Sequence, residues 1–317
     1  MKPAVLVLLC MLGLFAGATS AAEPASPRID TLHLDAPGID PEGPRVRVFL
    51  PPGYDANRQP GYPVLYVNDG QDAEAVALQP WLDALTISGE IRPVIAVAID
   101  MPRDRMGAYG LSDRARARSV VADTKYGPVG TRAQAYSEWL AHTLVPFVDA
   151  HYRTRHSRRG RAVVGWSLGA LNAFNLGWNY PELFATVGAF SPSFWLSADN
   201  RDADAVQATR IVHVLVDGSE PMQRPQLFFG VGTNEETDDR DGDGVIDQAY
   251  NYSTDVQMTT ARANRIQGYP TSGSSSAPVD FDTLSSNDFN KLEGIFSRKF
   301  QPFEISRQAA HLKVRQT

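Results

Sequence analysis

The sequence predicts an α/β fold in which a mostly parallel central sheet carries helices on both faces. Three apolar runs, at residues 64–67, 93–99 and 162–164, are rich in β-branched side chains, which is typical of strands buried on both faces. Helical stretches separate these runs, and such alternation of strands and helices indicates a parallel sheet. With 43% hydrophobic and 21% charged residues, the 317-residue chain has the composition of a globular protein and not of a disordered one.

The first strand of this pattern is expected at residues 46–50. It ends at a Pro-Pro-Gly-Tyr turn, residues 51–54, which is a usual boundary of a strand. The run at residues 64–67 ends at Asn-Asp-Gly-Gln, residues 68–71, and a helical stretch at residues 81–87 then leads to the next buried run. Strands, turns and a helix therefore follow one another as the predicted fold requires.

A polar segment and an amphipathic helix follow the run at residues 93–99. Arg and Asp side chains are frequent over residues 103–129, which predicts a long polar loop. Residues 103–118 of this loop are expected to form a solvated surface. Residues 132–152 are expected to form a helix, because their apolar side chains recur every three or four positions. These side chains are Tyr136, Leu140, Leu144, Phe147 and Val148.

The strand at residues 162–164 leads directly into Gly-Trp-Ser-Leu-Gly, residues 165–169, and residues 170–176 continue as a helix. A G-x-S-x-G pattern between a buried strand and a helix is typical of a nucleophile elbow, in which the serine occupies a sharp, strained turn. Glycines on both sides leave room for that turn, and the helix N-terminus favours developing negative charge. Ser167 is therefore the candidate nucleophile.

Residues 1–22 are expected to be a cleaved signal peptide. An apolar run at residues 4–15 follows a basic residue, and the small residues after it suit cleavage after Ala21 or Ala22. The run is shorter than the roughly 20 residues that span a bilayer. We therefore expect a secreted or periplasmic protein whose mature part, residues 23–317, forms one domain without a membrane segment.

The charge balance argues against a nucleic-acid partner. The chain has 30 Lys and Arg residues and 36 Asp and Glu residues, which gives a formal net charge of −6 at pH 7. Phosphate backbones and anionic membranes attract basic surfaces, and this composition does not provide one. Binding to nucleic acid is therefore not expected.

Five segments carry a resemblance to a known family and stand in that family's order: residues 47–54, 62–71, 93–99, 165–169 and 190–195. Together they resemble the esterase D or enterochelin-esterase-like branch of the α/β-hydrolases. The resemblance implies an α/β-hydrolase fold and a serine esterase that acts on a small-molecule or carbohydrate-linked ester. It leaves siderophore lactones, feruloyl esters, acetyl esters and thioesters open as substrates.

The same resemblance implies roles for residues around the elbow. Ser167 becomes the nucleophile that attacks the ester carbonyl, with a histidine as base and a carboxylate that orients the histidine. The two amides that bind the oxyanion are implied to be those of Leu168, directly after the nucleophile, and of Gln71, in the loop after the strand at residues 64–67.

The acid and the base are expected C-terminal to the elbow. Glu235 follows an apolar run at residues 227–232, where the family places its carboxylate, and Glu236 and Asp238 are alternatives. The chain order of serine, acid and histidine in this fold implies His311 as the base. The family's Gly-Gly-x-His pattern, with a later tryptophan and helix, does not occur around His311. Two interpretations stay open: this part of the chain has diverged, or it is shortened or altered relative to the family, with the base displaced or missing.

An acidic stretch at residues 239–250 follows the calcium-loop pattern. Its oxygen donors and a sharp-turn glycine have the spacing that wraps one Ca²⁺. The predicted ligands are Asp239, Asp241, Asp243 and Asp247. Tyr250 stands where a bidentate glutamate is usual, so a weak, structural site is expected, with an acidic surface turn as the alternative interpretation.

The sequence thus predicts an exported esterase of one domain, with a divergent C-terminal segment at residues 256–317. The enzyme hydrolyses esters through an acyl-serine intermediate and needs no cofactor for catalysis. Two alternatives stay open: an acyltransferase on the same scaffold, and a non-catalytic, calcium-stabilised secreted binding protein that has lost the base.

Overall fold

The computed structural model describes residues 28–219 and 225–230. Three predicted features lie outside the described residues: the signal peptide at residues 1–22, the acidic loop at residues 239–250 and the divergent segment at residues 256–317. These three features therefore stay predictions.

Nine strands form two sheets in the described part of the chain, a central sheet of seven strands and a hairpin of two. In chain order they are β1 (Ile29–His33), β2 (Arg45–Phe49), β3 (Val64–Asn68), β4 (Ile95–Ile99), β5 (Leu111–Asp113), β6 (Arg118–Val120), β7 (Arg161–Trp166), β8 (Thr186–Phe190) and β9 (Gln226–Gly230). The hairpin consists of β5 and β6.

The central sheet has the order β1-β2-β4-β3-β7-β8-β9. Strand β2 is antiparallel to both of its neighbours, and the pairs from β4 to β9 are parallel, which confirms the predicted mostly parallel sheet. Strands β3 and β7 are adjacent, with Val67 opposite Val164. Their carboxyl ends therefore meet at one edge, where ligands bind in open parallel sheets.

Helices connect these strands. They are α1 (Leu78–Ile87), α2 (Arg105–Ala108), α3 (Ala133–Trp139), α4 (Val145–His151), α5 (Leu168–Asn179), α6 (Ala203–Ala208) and α7 (Ile211–Asp217). A π-helical turn at Leu140–Leu144 joins α3 to α4, so the helix predicted at residues 132–152 is confirmed as one helical run. Among the described residues, no helix is both long and apolar enough to span a bilayer.

Alternate side chains of β3 enter two separate hydrophobic cores. Val64 and Tyr66 pack in the core that includes buried residues of α3 and α5. Leu65 and Val67 pack in the core that includes buried residues of α1. Both faces of the strand are therefore covered, as its continuous apolar run predicts, and each buried aliphatic side chain contributes roughly 1.5–3 kcal/mol.

The segment at residues 103–129 differs from the polar loop that the sequence predicts. It contains α2 and the β5–β6 hairpin, and Tyr109 and Leu111 are fully buried. The side chain of Arg105 is only 26% exposed, because it forms an ion pair with the buried carboxylate of Asp69. The expectation of a solvated surface is therefore wrong for Arg105.

Candidate active site

Ser167 occupies the turn between β7 and α5. Its backbone has φ 55° and ψ −124°, a conformation that residues with a side chain rarely adopt, so the turn is strained. Its amide donates to the carbonyl of Phe190 on β8 at 3.0 Å, and its carbonyl accepts from the amides of Ala170 and Leu171 at 3.1 Å. The serine side chain is half-buried. The structure thus places Ser167 on a strained strand-to-helix turn, as expected of a nucleophile elbow.

Two glycines make this turn sterically possible. A Cβ atom at Gly165 would lie 2.4 Å from the carbonyl oxygen of Gly169. A Cβ atom at Gly169 would lie 2.4 Å from a carboxylate oxygen of Asp69. Both distances are far below van der Waals contact, so a residue with a side chain fits at neither position without displacing its neighbours.

The amide of Leu168 is the first of helix α5. First-turn amides have no partner within their own helix and stand at the positive end of the helix dipole. Within residues 28–219 and 225–230, the Leu168 amide donates to no other group. It is therefore available to an oxygen that gains negative charge beside Ser167.

The loop after β3 packs against the elbow. Asn68 donates from Nδ2 to the carbonyl of Gly169 at 2.9 Å, which ties the end of β3 to the first turn of α5. Gly70 lies directly on β4, since a Cβ atom there would be 2.6 Å from a backbone nitrogen of that strand. The amide of Gln71 donates to no group in the part of the chain that the structure describes. Two amides that have no acceptor among the described residues thus follow the adjacent ends of β3 and β7.

An ion pair fixes the start of this loop. Asp69 is 1% exposed and has φ 57°, and Arg105 binds both of its carboxylate oxygens at 2.8 Å. The hydroxyl of Tyr109 accepts from the Asp69 amide at 3.1 Å, so both the side chain and the backbone of Asp69 are held. Burial lowers the pKa of Arg105, but the hydrogen bonds and charge of Asp69 outweigh it and raise the pKa overall.

A hydrogen-bond network lies beneath the loop. Asn68 donates to Asn172 Oδ1 at 3.1 Å and accepts from the hydroxyl of Tyr136 at 3.0 Å. Tyr136 and Tyr109 are in edge-to-face contact, with their ring centroids 5.3 Å apart. Burial raises the pKa of both tyrosines, so both hydroxyls are neutral at physiological pH. These bonds connect the loop to α3 and α5, which limits its movement relative to Ser167.

Ser193 contacts the nucleophile and was not predicted as a site residue. Its hydroxyl lies 3.4 Å from the hydroxyl of Ser167, and its amide donates to the carbonyl of Ser167 at 3.2 Å. The side chain is buried. The available signal was its place in residues 190–195, one of the five segments that carry the family resemblance.

The predicted acid and base lie outside the described residues. This holds for Glu235, for its alternatives Glu236 and Asp238, and for His311. Within the described ranges, the side chain of Ser167 forms no hydrogen bond with a histidine. Strand β9 ends at the same edge of the sheet as β7 and β8, shortly before Glu235 in the chain. The structure therefore leaves the triad partners as predictions.

The predicted calcium ligands also lie outside the described residues: Asp239, Asp241, Asp243 and Asp247. In the described part of the chain, no group of three or more His, Cys, Asp or Glu side chains is arranged to hold a metal ion. The structural Ca²⁺ site therefore stays a prediction from the sequence.

Comparisons with known sequences point to one family. The profile of the family described as "Putative esterase" matches residues 41–269. A Xylanibacter ruminicola protein named endo-1,4-beta-xylanase/feruloyl esterase is 27% identical over 173 residues, which are 50% of this chain and 21% of that protein. The uncharacterized protein YjcH of Bacillus subtilis is 31% identical over 121 residues, 38% of this chain and 44% of that protein. The chain thus spans less than half the length of either relative.

Solved structures show the same fold. An IroE-like serine hydrolase from Shewanella oneidensis matches with a TM-score of 0.56 and 20% identity, over 85% of this chain and 78% of that one. The enterobactin esterase of Shigella flexneri matches with a TM-score of 0.54 and 16% identity, over 87% of this chain and 60% of that one. At these identities the likeness concerns the fold alone, and it confirms the predicted α/β-hydrolase fold.

Proposed function

The chain belongs to the putative-esterase family, and from this premise we propose that it is a serine esterase that acts through an acyl-Ser167 intermediate. Membership of the family supports hydrolysis of carboxylic esters. The observation that carries the serine mechanism is the backbone of Ser167, which is strained at φ 55° on the turn between β7 and α5. A half-buried hydroxyl on such a turn supports nucleophilic attack on a bound ester, as do the amides of Leu168 and Gln71, which donate to no group among the described residues.

The proposed reaction has two steps. The Ser167 hydroxyl attacks the ester carbonyl while His311, oriented by Glu235, takes its proton. The carbonyl oxygen becomes an oxyanion that accepts hydrogen bonds from the amides of Leu168 and Gln71. Collapse of this intermediate breaks the bond to the alcohol, which leaves with the proton from the histidine. Water then attacks the acyl-enzyme in the same way, and the carboxylic acid leaves.

The proposal extends to the substrate class and the location of the enzyme. The relative named as a feruloyl esterase supports a small-molecule or carbohydrate-linked ester as substrate. The apolar leader at residues 1–22 supports a secreted or periplasmic enzyme. The acidic stretch at residues 239–250 supports a structural Ca²⁺ that takes no part in the chemistry.

Hydrolysis by the mature chain, from residue 23 onward, tests the nucleophile. The substrates are p-nitrophenyl acetate and methyl ferulate, and the variant is Ser167→Ala. Its matched control is Ser88→Ala, which changes an exposed serine at the end of α1. We expect Ser167→Ala to lower kcat by about 10⁴-fold or more, because loss of the nucleophile removes the covalent step. Full activity in Ser167→Ala, or no turnover by the wild type on either ester, contradicts the proposal.

The same hydrolysis assay tests the predicted triad partners. His311→Ala and Glu235→Gln should both lower kcat, whereas His151→Ala, on an exposed histidine, should not. If His311→Ala keeps wild-type activity, another group is the base.

Thermal unfolding with and without EDTA tests the predicted metal site. EDTA should lower the unfolding temperature if the acidic loop holds calcium. Transfer of the acyl group to an added alcohol in preference to water would favour the acyltransferase alternative.

A further inference from the structure

Arg47 is a buried cation that the mechanism above does not use. It lies in β2, and its side chain is only 7% exposed. Of its two terminal guanidinium nitrogens, Nη1 binds the carboxylate of Glu74 and Nη2 lies 3.4 Å from a carboxylate oxygen of Asp100. Nη2 also donates to the carbonyl oxygen of Gly70. A buried guanidinium thus binds the backbone of the loop that follows β3.

The carbonyl of Gly70 and the amide of Gln71 belong to one peptide group. A trans peptide is planar, so its C=O and N–H bonds point in opposite directions. A donor that fixes the carbonyl therefore fixes the direction of the amide, on the side of the peptide away from Arg47. This amide is the one proposed for the oxyanion, and it donates to nothing else in the described ranges.

Other contacts hold the two ends of the same peptide. Gly70 packs on β4 so closely that a Cβ atom would lie 2.6 Å from the nitrogen of Ile99. The Gln71 side chain accepts from the amide of Met101 at 2.9 Å and donates to Asp69 at 3.3 Å. A positive charge at the carbonyl also polarises the peptide, which makes its amide a stronger donor.

We propose that Arg47 is a positioning residue for the oxyanion hole: its guanidinium holds the Gly70 carbonyl so that the Gln71 amide of the same peptide faces the substrate oxyanion. The inference rests on the proposed function. Arg47 does not touch the substrate and acts through the peptide. Without Arg47 the carbonyl loses its charged donor and keeps the hydrogen bond from the amide of Ala73, at 2.9 Å. One neutral donor restrains the peptide less than the two together, so its orientation becomes less fixed. That change weakens binding of the transition state more than binding of the ester.

Arg47→Met tests this inference against the matched control Arg45→Met. Arg45 lies two residues earlier in β2 and binds Asp100 from Nε at 2.7 Å, with no bond to Gly70. Two quantities are measured on the mature protein below its unfolding temperature. One is the steady-state hydrolysis of p-nitrophenyl acetate, and the other is inhibition by a trifluoromethyl ketone, whose adduct with Ser167 carries an oxyanion.

For Arg47→Met we expect kcat to fall by about 10²-fold, the effect of a displaced oxyanion donor, while KM changes by less than about twofold. The inhibition constant of the ketone should rise by the factor by which kcat/KM falls. A purely structural role would lower the unfolding temperature without this parallel change. Arg45→Met should keep both wild-type constants.

Arg47→Lys keeps a positive charge and one donor but not the planar fork, so an intermediate, roughly tenfold loss of kcat is expected. If Arg47→Met does not fold, the kcat and the ketone inhibition constant of Arg47→Lys test the role of Arg47 in its place. The inference is overturned if the folded Arg47 variant keeps kcat within twofold of wild type, or if Arg45→Met loses as much. If the wild type does not hydrolyse the ester, the proposed function fails together with the inference; an active wild type with unaffected Arg47 variants overturns the inference alone.

Discussion

Replacing Arg105 with methionine should destabilise the fold by about 3–5 kcal/mol, the usual cost of removing one partner from a buried ion pair. The carboxylate of Asp69 is 1% exposed, and Arg105 provides two hydrogen bonds of 2.8 Å to it, so the variant removes the cation from a buried charge. The remaining side-chain donor among the described residues is the neutral amide of Gln71, at 3.3 Å. Asp69→Asn should cost less, about 1–3 kcal/mol, because Arg105 is partly exposed and water can hydrate it. With a loss of roughly 2–4 °C per kcal/mol, Arg105→Met should lower Tm by roughly 6–20 °C.

Thermal unfolding followed by circular dichroism measures these shifts. The control is Glu182→Gln, which breaks the ion pair between Arg114 and Glu182. Arg114 Nη1 lies 2.6 Å from Glu182 Oε1, but both side chains are exposed. This pair therefore contributes only about 0–1 kcal/mol to the free energy of unfolding. If Arg105→Met lowers Tm no more than Glu182→Gln does, or less than Asp69→Asn does, then Asp69 does not depend on Arg105 for compensation of its buried charge.

Two further predictions concern the elbow and helix α2. Gly169→Ala should lower both Tm and ester hydrolysis more than Gly89→Ala, because a Cβ atom at Gly169 would lie 2.4 Å from a carboxylate oxygen of Asp69. At Gly89 a Cβ atom meets nothing within 4 Å, so that variant adds only the strain of a side chain at φ 71°; equal losses would contradict this. The Gly107 amide lowers the pKa of Asp104, so Asp104 stabilises the fold above its unfolded-state pKa and loses that effect as pH falls through the folded-state value. In urea titrations, the difference in free energy of unfolding between wild type and Asp104→Asn should therefore shrink below about pH 4. A difference that does not depend on pH would contradict this role of Asp104.

The parallel sheet could be predicted because its signal is local. Residues 64–67 form an unbroken apolar run, and a strand with both faces covered needs no alternation of polar and apolar side chains. The position of Ser167 on a turn was predictable for a similar reason, since the glycines that the turn needs stand two residues away on either side. In contrast, β1 was not predicted, because its five residues at Ile29–His33 are partly exposed and mix polar with apolar side chains.

The contacts that hold the candidate site could not be predicted, because their partners are distant in sequence. Arg105 lies in a segment rich in Arg and Asp, and nothing local distinguishes it from the exposed arginines around it. Its partner Asp69 is 36 residues away. Arg47 stands between two valines of a strand, and its bond to Gly70 becomes visible only when β2, β4 and β3 are placed side by side.

Covalent labelling shows whether Ser167 is the nucleophile. The protein from residue 23 onward is treated with a fluorophosphonate, and the modified peptide is identified by mass spectrometry. We expect one phosphonyl group on the peptide that carries Ser167, loss of ester hydrolysis in proportion to labelling, and no labelling of Ser167→Ala. Labelling of a different residue, or full hydrolysis by protein that is completely labelled at Ser167, would contradict it.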